Sequence, residues 1–247
     1  VEVAYQVMPY ADIMVGSEET EPSGGWNYQA ILTALTNNPT MTATTLATQI
    51  VNDYISSYST SMSVTQSAVS LDLIDELVTA VDRFAQAMTS ATGDWDEIET
   101  ARSQAQEYYY SYYIDLYHFA QLVNQDSSIR QGVRDAAGSV MRAVNNAVIA
   151  EGHTSSLANS HGLSIYYPET MAEYFSDYVT SIVFSTETQW DDFVSAILAP
   201  DTTSSTVSST LLLSNVTDAT VSIVYIMVSL PPAKLWMHQL SPPLALL

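Results

Sequence analysis

Apolar residues recur at helical spacing along most of the chain. The clearest stripe is Leu71, Ile74, Leu77, Val78, Val81, Phe84, Ala85 and Met88, with Asp72, Asp75, Glu76 and Asp82 opposite it. A period of about 3.6 residues predicts an amphipathic helix that turns this stripe toward a core. The pattern returns over Ile129 to Ala150, through Val133, Ala137, Val140, Met141, Val144 and Val148, and predicts a second helix closed by Gly152. Val1 to Tyr10 carries Val3, Ala4, Val7 and Met8 on one face and is ended by Pro9. Further helices are predicted from Tyr28 to Leu35, stopped by Asn37, Asn38 and Pro39, from Met41 to Tyr58, from Asp94 to Gln106 and from Tyr108 to Asn124. The last is rich in tyrosine, and its spacing predicts a half-buried aromatic layer rather than a sugar-stacking or lipid-facing platform. Thr186 and Gln189 have the spacing of a capping box ahead of Trp190 to Leu198, a helix that stops before Pro200.

Two runs have a different shape. Ala11 to Gly16 and Leu163 to Tyr167 are short and apolar, with Gly16, Gly162 and Pro168 as boundaries, and they read as buried strands. Residues 59–70, rich in Ser and Thr, read as a strand or an extended linker. Helices interleaved with few short strands predict an α/β layered domain. Ligands of open α/β sheets sit outside the carboxyl ends of the strands. The loop after the first strand, GSEETEPSGGW at 16–26, is therefore either a candidate site or an acidic surface turn.

Charge narrows the partners. Acidic residues outnumber Lys plus Arg by 27 to 6, a formal charge of −21 over 247 residues. Nucleic acid is excluded as an expected partner, because phosphate binding needs clustered Lys and Arg. A basic substrate would be drawn in instead. With a single lysine, Lys234, the acid excess also suits a surface exposed to high salt or an extracellular or cell-surface setting, where charge repulsion is screened. The absence of cysteine removes disulfides, thiolate metal sites and a cysteine nucleophile from these residues.

Candidate chemistry is otherwise sparse. The four histidines, His118, His153, His161 and His238, form no HExxH and no i, i+4 pair, and no metal-binding residue is assigned. Ser164, His161 and a distant Asp could be drawn as a triad, but Ser164 lacks a GxSxG elbow. Asp94, Asp96, Glu97 and Glu99 lack the turn glycine of an EF-hand loop and read as a solvated first helical turn. Asn215 and Thr217 form a glycosylation sequon. Thr220 to Leu230 is apolar but falls short of the roughly 20 residues that a membrane-spanning helix needs, so a membrane is not an expected partner.

Five stretches taken together resemble the clostripain family of cysteine peptidases, a caspase-like group that prefers Arg or Lys. They are VEVAYQVMPYADIMVGSEETEPSGGWNY (Val1 to Tyr28), SAVSLDLIDELVTAVDRFAQAM (Ser67 to Met88), YIDLYHFAQLV (Tyr113 to Val123), HGLSIYYP (His161 to Pro168) and WDDFVSAIL (Trp190 to Leu198). The resemblance implies a caspase-like three-layer α/β/α sandwich with a mostly parallel sheet, present here as its carboxyl-terminal portion. It places the nucleophile, in an Asp-Ala-Cys motif, and the catalytic His before Val1, so no catalytic residue is expected in this chain. It puts Ser17, Glu18 and Glu19 at the border of the pocket for the residue before the scissile bond. Many relatives carry an acidic residue where this sequence has Ser23, Gly24 and Gly25 ahead of Trp26, a departure that bears on the Arg or Lys preference. Some relatives also require calcium.

The resulting expectation is a peptidase portion at 1–199, a Ser/Thr-rich linker or start of a β segment at 200–218, and a proline-containing tail at 219–247. Alone it is expected to be inactive on peptides, and to aggregate or stay partly unfolded through a bare sheet edge. Its partners would be peptide or protein substrates with basic residues and the missing amino-terminal part of its own domain. The alternative is a non-catalytic acidic extracellular binding module of the same fold.

Overall fold

The computed structural model describes residues 1–199. The expected linker and tail, the Asn215 sequon and His238 lie outside the described residues. Helix α1 (Glu2–Val7) passes through a 3-10 turn at Met8–Tyr10, where Pro9 ends it, into strand β1 (Ile13–Gly16). Helices α2 (Tyr28–Asn37) and α3 (Ala43–Ser57) follow, each with a polar cap. Asn27 accepts from the Ala30 N–H and Thr42 from the Thr45 N–H, satisfying donors that a helix start leaves open. Strand β2 (Thr65–Ser70) leads to α4 (Ile74–Thr89), α5 (Trp95–Gln104), β3 (Tyr113–Asp115), α6 (Leu116–Gln125) and α7 (Gln131–Ala147). The described chain closes with β4 (Val148–His153), β5 (Ser164–Tyr166), α8 (Ser176–Ser181), α9 (Val183–Glu187) and α10 (Trp190–Ile197).

The main sheet has the order β1-β2-β4. Register pairs Ile13 with Ser70 and Gly16 with Ser67 on one side of β2, and Thr65 with His153 and Ser67 with Glu151 on the other. Ala68 belongs to a small cluster with Ala47 and Val51 of α3, flanked by Ile13, Val15 and Ile149. Val69 belongs to the large core built by α4, α6, α7 and α10. Side chains alternate across a strand, so these two neighbours face opposite layers and β2 is covered on both sides. The stripe Leu71 to Met88 is buried as the sequence predicts. Phe119 packs edge-on against Trp190, whose indole Nε1 donates to the Tyr166 carbonyl at 2.7 Å.

The expected α/β class is present, but the mostly parallel sheet is not. Every strand pairing among the described residues is antiparallel, in the main sheet and in the β3–β5 ribbon alike. Two helices, α2 and α3, join β1 to β2 in place of the single crossover helix of a parallel βαβ unit, and the two strands pair antiparallel. Apolar runs carry no information on strand direction.

Three local expectations also change. The segment Ile129 to Ala150 is not one helix, because α7 ends at Ala147 and β-branched Val148 and Ile149 start β4. The tyrosine-rich stretch is not a helix from Tyr108, because residues 108–112 form a turn held by buried Arg102. Its guanidinium donates to the carbonyls of Ser111 and Tyr167, each at 2.6 Å, and to Glu107 at 2.8 Å. Thr186 caps nothing: it lies inside α9 and its hydroxyl donates to the Val183 carbonyl. At the start of α10, the Gln189 N–H instead donates to Asp82 Oδ1 at 2.8 Å.

Two substitutions test this packing by urea denaturation. Phe84→Ala, in the fully buried stripe, is expected to lose about 3–5 kcal/mol, whereas Tyr28→Ala on the exposed face of α2 stays within about 0.5 kcal/mol. Gly162 has φ +94° and its added Cβ would lie 2.9 Å from Ser67 Cβ, so Gly162→Ala is expected to cost roughly 1–3 kcal/mol.

Candidate functional site

Strand β1 ends at Gly16 and releases the acidic loop beside the first residue of β2. Thr65 is fully buried there, and its hydroxyl oxygen lies 2.9 Å from Ser17 Oγ. It also accepts the N–H groups of Glu18 and Glu19 at 2.9 and 3.1 Å. One threonine thus holds all three residues that the sequence singles out, Ser17 by its hydroxyl and Glu18 and Glu19 by their backbone.

From that anchor the carboxylates diverge. Glu19 Oε1 accepts from the Thr20 N–H at 2.6 Å, and its two oxygens accept from the Tyr109 N–H at 3.2 and 3.1 Å. Glu21 accepts from the Trp26 indole N–H at 3.0 Å. The glycine stretch rests on Tyr58, whose hydroxyl donates to the Gly25 carbonyl at 2.6 Å. Gly25 has φ +63°, a left-handed turn that a Cβ would strain, and a Cβ on Gly24 would meet the Tyr58 oxygen at 3.2 Å.

Glu18 turns inward. Its Oε2 accepts from the Gly162 N–H at 3.1 Å, while Oε1 is buried with no hydrogen-bond donor. Burial first, and then the Asp115 carboxyl beside it, push the Glu18 carboxyl well above the usual carboxylate range. Asp115 is itself fully buried at the end of β3, where it caps α6 by accepting the His118 N–H at 2.6 Å. It also accepts the His161 N–H at 2.6 Å and the Tyr108 hydroxyl at 3.3 Å. Burial pushes the Tyr108 hydroxyl well up, so it stays a donor. Residues 17–19, 106–115 and 160–162, distant in sequence, meet at this carboxyl pair.

The histidines divide. His161 Nδ1 lies 3.2 Å from Asp115 Oδ1 and 2.9 Å from the Asn159 carbonyl, and its ring stacks on Tyr117 at 4.2 Å. Burial opposes charge on this ring, but the Asp115 carboxylate outweighs it and His161 is raised. His118 Nδ1 accepts from the Gln106 N–H at 2.9 Å, and burial lowers this ring. His153 pairs with Glu151 on β4. Ser164 sits in β5 opposite Asp115, and its carbonyl receives the Val1 amino group at 2.6 Å. A triad through Ser164 is not assembled, since His161 turns to Asp115 and Asn159.

Among the described residues no cluster of three or more His, Asp or Glu is placed to hold a metal ion. Asp94 is engaged by the Arg130 guanidinium at 2.8 and 3.0 Å, which holds its carboxyl below the usual range. An open groove of about 400 Å³ lies between Trp95, Asp96, Glu99, Glu169 and Leu198 and shares no lining residue with the acidic loop.

Sequence reasoning missed Thr65, Tyr108 and Asp115. Asp115 carried a signal, an acidic residue directly before an apolar helical run, which is an N-cap pattern. Thr65 and Tyr108 carried none.

This α/β arrangement has solved counterparts. The chain is similar to an inactive zymogen C11 protease from Parabacteroides distasonis, 20% identical with a TM-score of 0.50, over 78% of this chain and 54% of that one. A secreted C11 cysteine protease from Bacteroides thetaiotaomicron, solved with an irreversible peptide inhibitor, is 21% identical with a TM-score of 0.52, over 77% of this chain and 56% of that one. A clostripain from Bacteroides thetaiotaomicron is 14% identical with a TM-score of 0.50, over 75% of this chain and 80% of that one. At these identities the likeness establishes the fold alone, and the chain spans little more than half of the first two proteins. No curated protein matches it. The sequence pattern of the clostripain family, however, matches residues 1–199 throughout, and the chain belongs to that family.

Proposed function

We propose that residues 1–199 form the substrate-binding side of a clostripain-like cysteine endopeptidase that cleaves after Arg or Lys, outside the cell or at its surface. The 247 residues hold no cysteine, and on this reading the attacking thiolate and the histidine that activates it are supplied from outside them. That thiolate attacks the peptide carbonyl while backbone amides hold the oxyanion. This chain's own part is to bind and orient the substrate.

The observation that carries the reading is the acidic loop, fastened at its base and charged at its rim. Ser17 and Glu18 fix the base through Thr65 and Gly162. Glu19 and Glu21 are oriented by the Tyr109 N–H and the Trp26 indole, and offer carboxylates to a cationic side chain. The overall charge of −21 attracts basic peptides from a distance. The peptide inhibitor held by the similar Bacteroides thetaiotaomicron clostripain, BTN-VLTK-AOMK, also carries lysine.

The test is Glu19→Gln and Glu21→Gln in the protein carrying its thiol-bearing segment, with fluorogenic peptides ending in Arg or in norleucine. Each substitution is expected to lower kcat/KM for the Arg peptide about tenfold, near 1.4 kcal/mol, and to leave the norleucine peptide unchanged. Equal effects on both peptides would make the glutamates ordinary loop residues. Turnover of the Arg peptide is also expected to fall as ionic strength rises, since the Debye length shrinks to about 3 Å at 1 M salt.

A further inference from the structure

The site contains a group that substrate binding does not use. Two consecutive backbone N–H groups bring Glu18 and Asp115 together: the His161 N–H donates to Asp115 Oδ2 at 2.6 Å and the Gly162 N–H to Glu18 Oε2 at 3.1 Å. Four carboxyl oxygens converge there. Three receive donors or share them: Glu18 Oε2 takes Gly162, Asp115 Oδ1 takes His118 and faces His161, and Asp115 Oδ2 takes His161 and Tyr108. The fourth, Glu18 Oε1, is buried and has none. A buried acceptor without a donor is costly, whereas a protonated carboxyl turns one oxygen into a donor.

We propose that Glu18 and Asp115 hold one proton between them, carried on Glu18, and that this proton positions the acidic loop. The backbone N–H groups of both His118 and His161 donate to Asp115, which places the shared proton on Glu18. Glu18, whose only N–H donor is Gly162, hydrogen-bonds Asp115 as a neutral acid. Two carboxylates this close and this buried cannot both ionise without repelling each other. Loss of the proton drives Glu18 away from Asp115. The backbone of Glu18 and Glu19, which both donate to Thr65, follows, and Glu19 shifts against Tyr109.

The charged and titratable groups around the pair are few. Asp115 from β3 and Tyr108 from the turn before it act directly on Glu18. His161, in the loop before β5, and His118, on α6, face Asp115. Glu151 on β4 acts on His161. Arg102, the buried cation nearby in sequence, is engaged by Tyr167, Ser111 and Glu107.

Glu18 binds its proton more tightly folded than unfolded, so its contribution to stability is full below the ordinary glutamate pKa and is lost as pH rises through the raised one. Carboxyl-carbon NMR of the 247-residue chain is expected to show Glu18 titrating above the ordinary range, with the Gly162 and Glu19 amides moving in the same step. Glu18→Gln, an isostere of the protonated form, is expected to hold both amides at their low-pH positions throughout, and to raise Tm by about 3 °C above the step while matching the native chain below it. Asp115→Asn is expected to move the Glu18 step down toward the ordinary value. An ordinary titration of Glu18, or a Gly162 step that survives in Glu18→Gln and so belongs to His161, would overturn the proposal.

Discussion

The described structure depends on one strand being covered on every side. β2 has β1 and β4 as lateral neighbours, α3 against Ala68 on one face and the large core against Val69 on the other. A strand so enclosed cannot slip by one residue, because that would exchange its two faces and bring Ala68 and Val69 to the wrong layers. Its register is therefore fixed, and so is the position of its first residue, Thr65. Thr65 in turn fixes the acidic loop. A local requirement of packing becomes a requirement on where three glutamates go.

The consequence is a site made by loops but held by buried polar groups. Ser67 Oγ donates to the Gly162 carbonyl at 2.7 Å, while the Gly162 N–H is given to Glu18. The loop before β5 is thus fastened to β2 and to the acidic loop by the same glycine. Asp115 caps a helix with one oxygen and accepts from the His161 backbone with the other. Groups that would be expensive to bury singly satisfy one another, and such networks specify geometry because partial satisfaction is worse than none. Among the carboxyl oxygens of Glu18 and Asp115, Glu18 Oε1 is the one left without a donor, and there the proposed proton would couple ionisation to conformation.

Much of this frame was legible in the sequence. The stripe from Leu71 to Met88, the α3 and α10 segments and the first strand were visible because apolar periodicity reports directly on which face is buried. The resemblance carried by VEVAYQVMPYADIMVGSEETEPSGGWNY and HGLSIYYP identified the family, and the family pattern covers residues 1–199. The break between α7 and β4 was hidden, because Val148 continues the helical period while it pairs with Val69 in the sheet. The tyrosine turn was hidden as well, since Arg102 acts on it through backbone carbonyls that no sequence pattern marks.

The sequence by itself determined the layers, the family and the negative charge of the loop, because burial, motif and composition are local or additive properties of the chain. Only the tertiary structure decided that the strands run antiparallel and that Glu18 points inward while Glu19 meets Tyr109. It also decided that Thr65, Tyr108, Asp115 and Gly162 belong to the same site. These are contacts between residues tens of positions apart, and their geometry comes into existence only when β2 is enclosed.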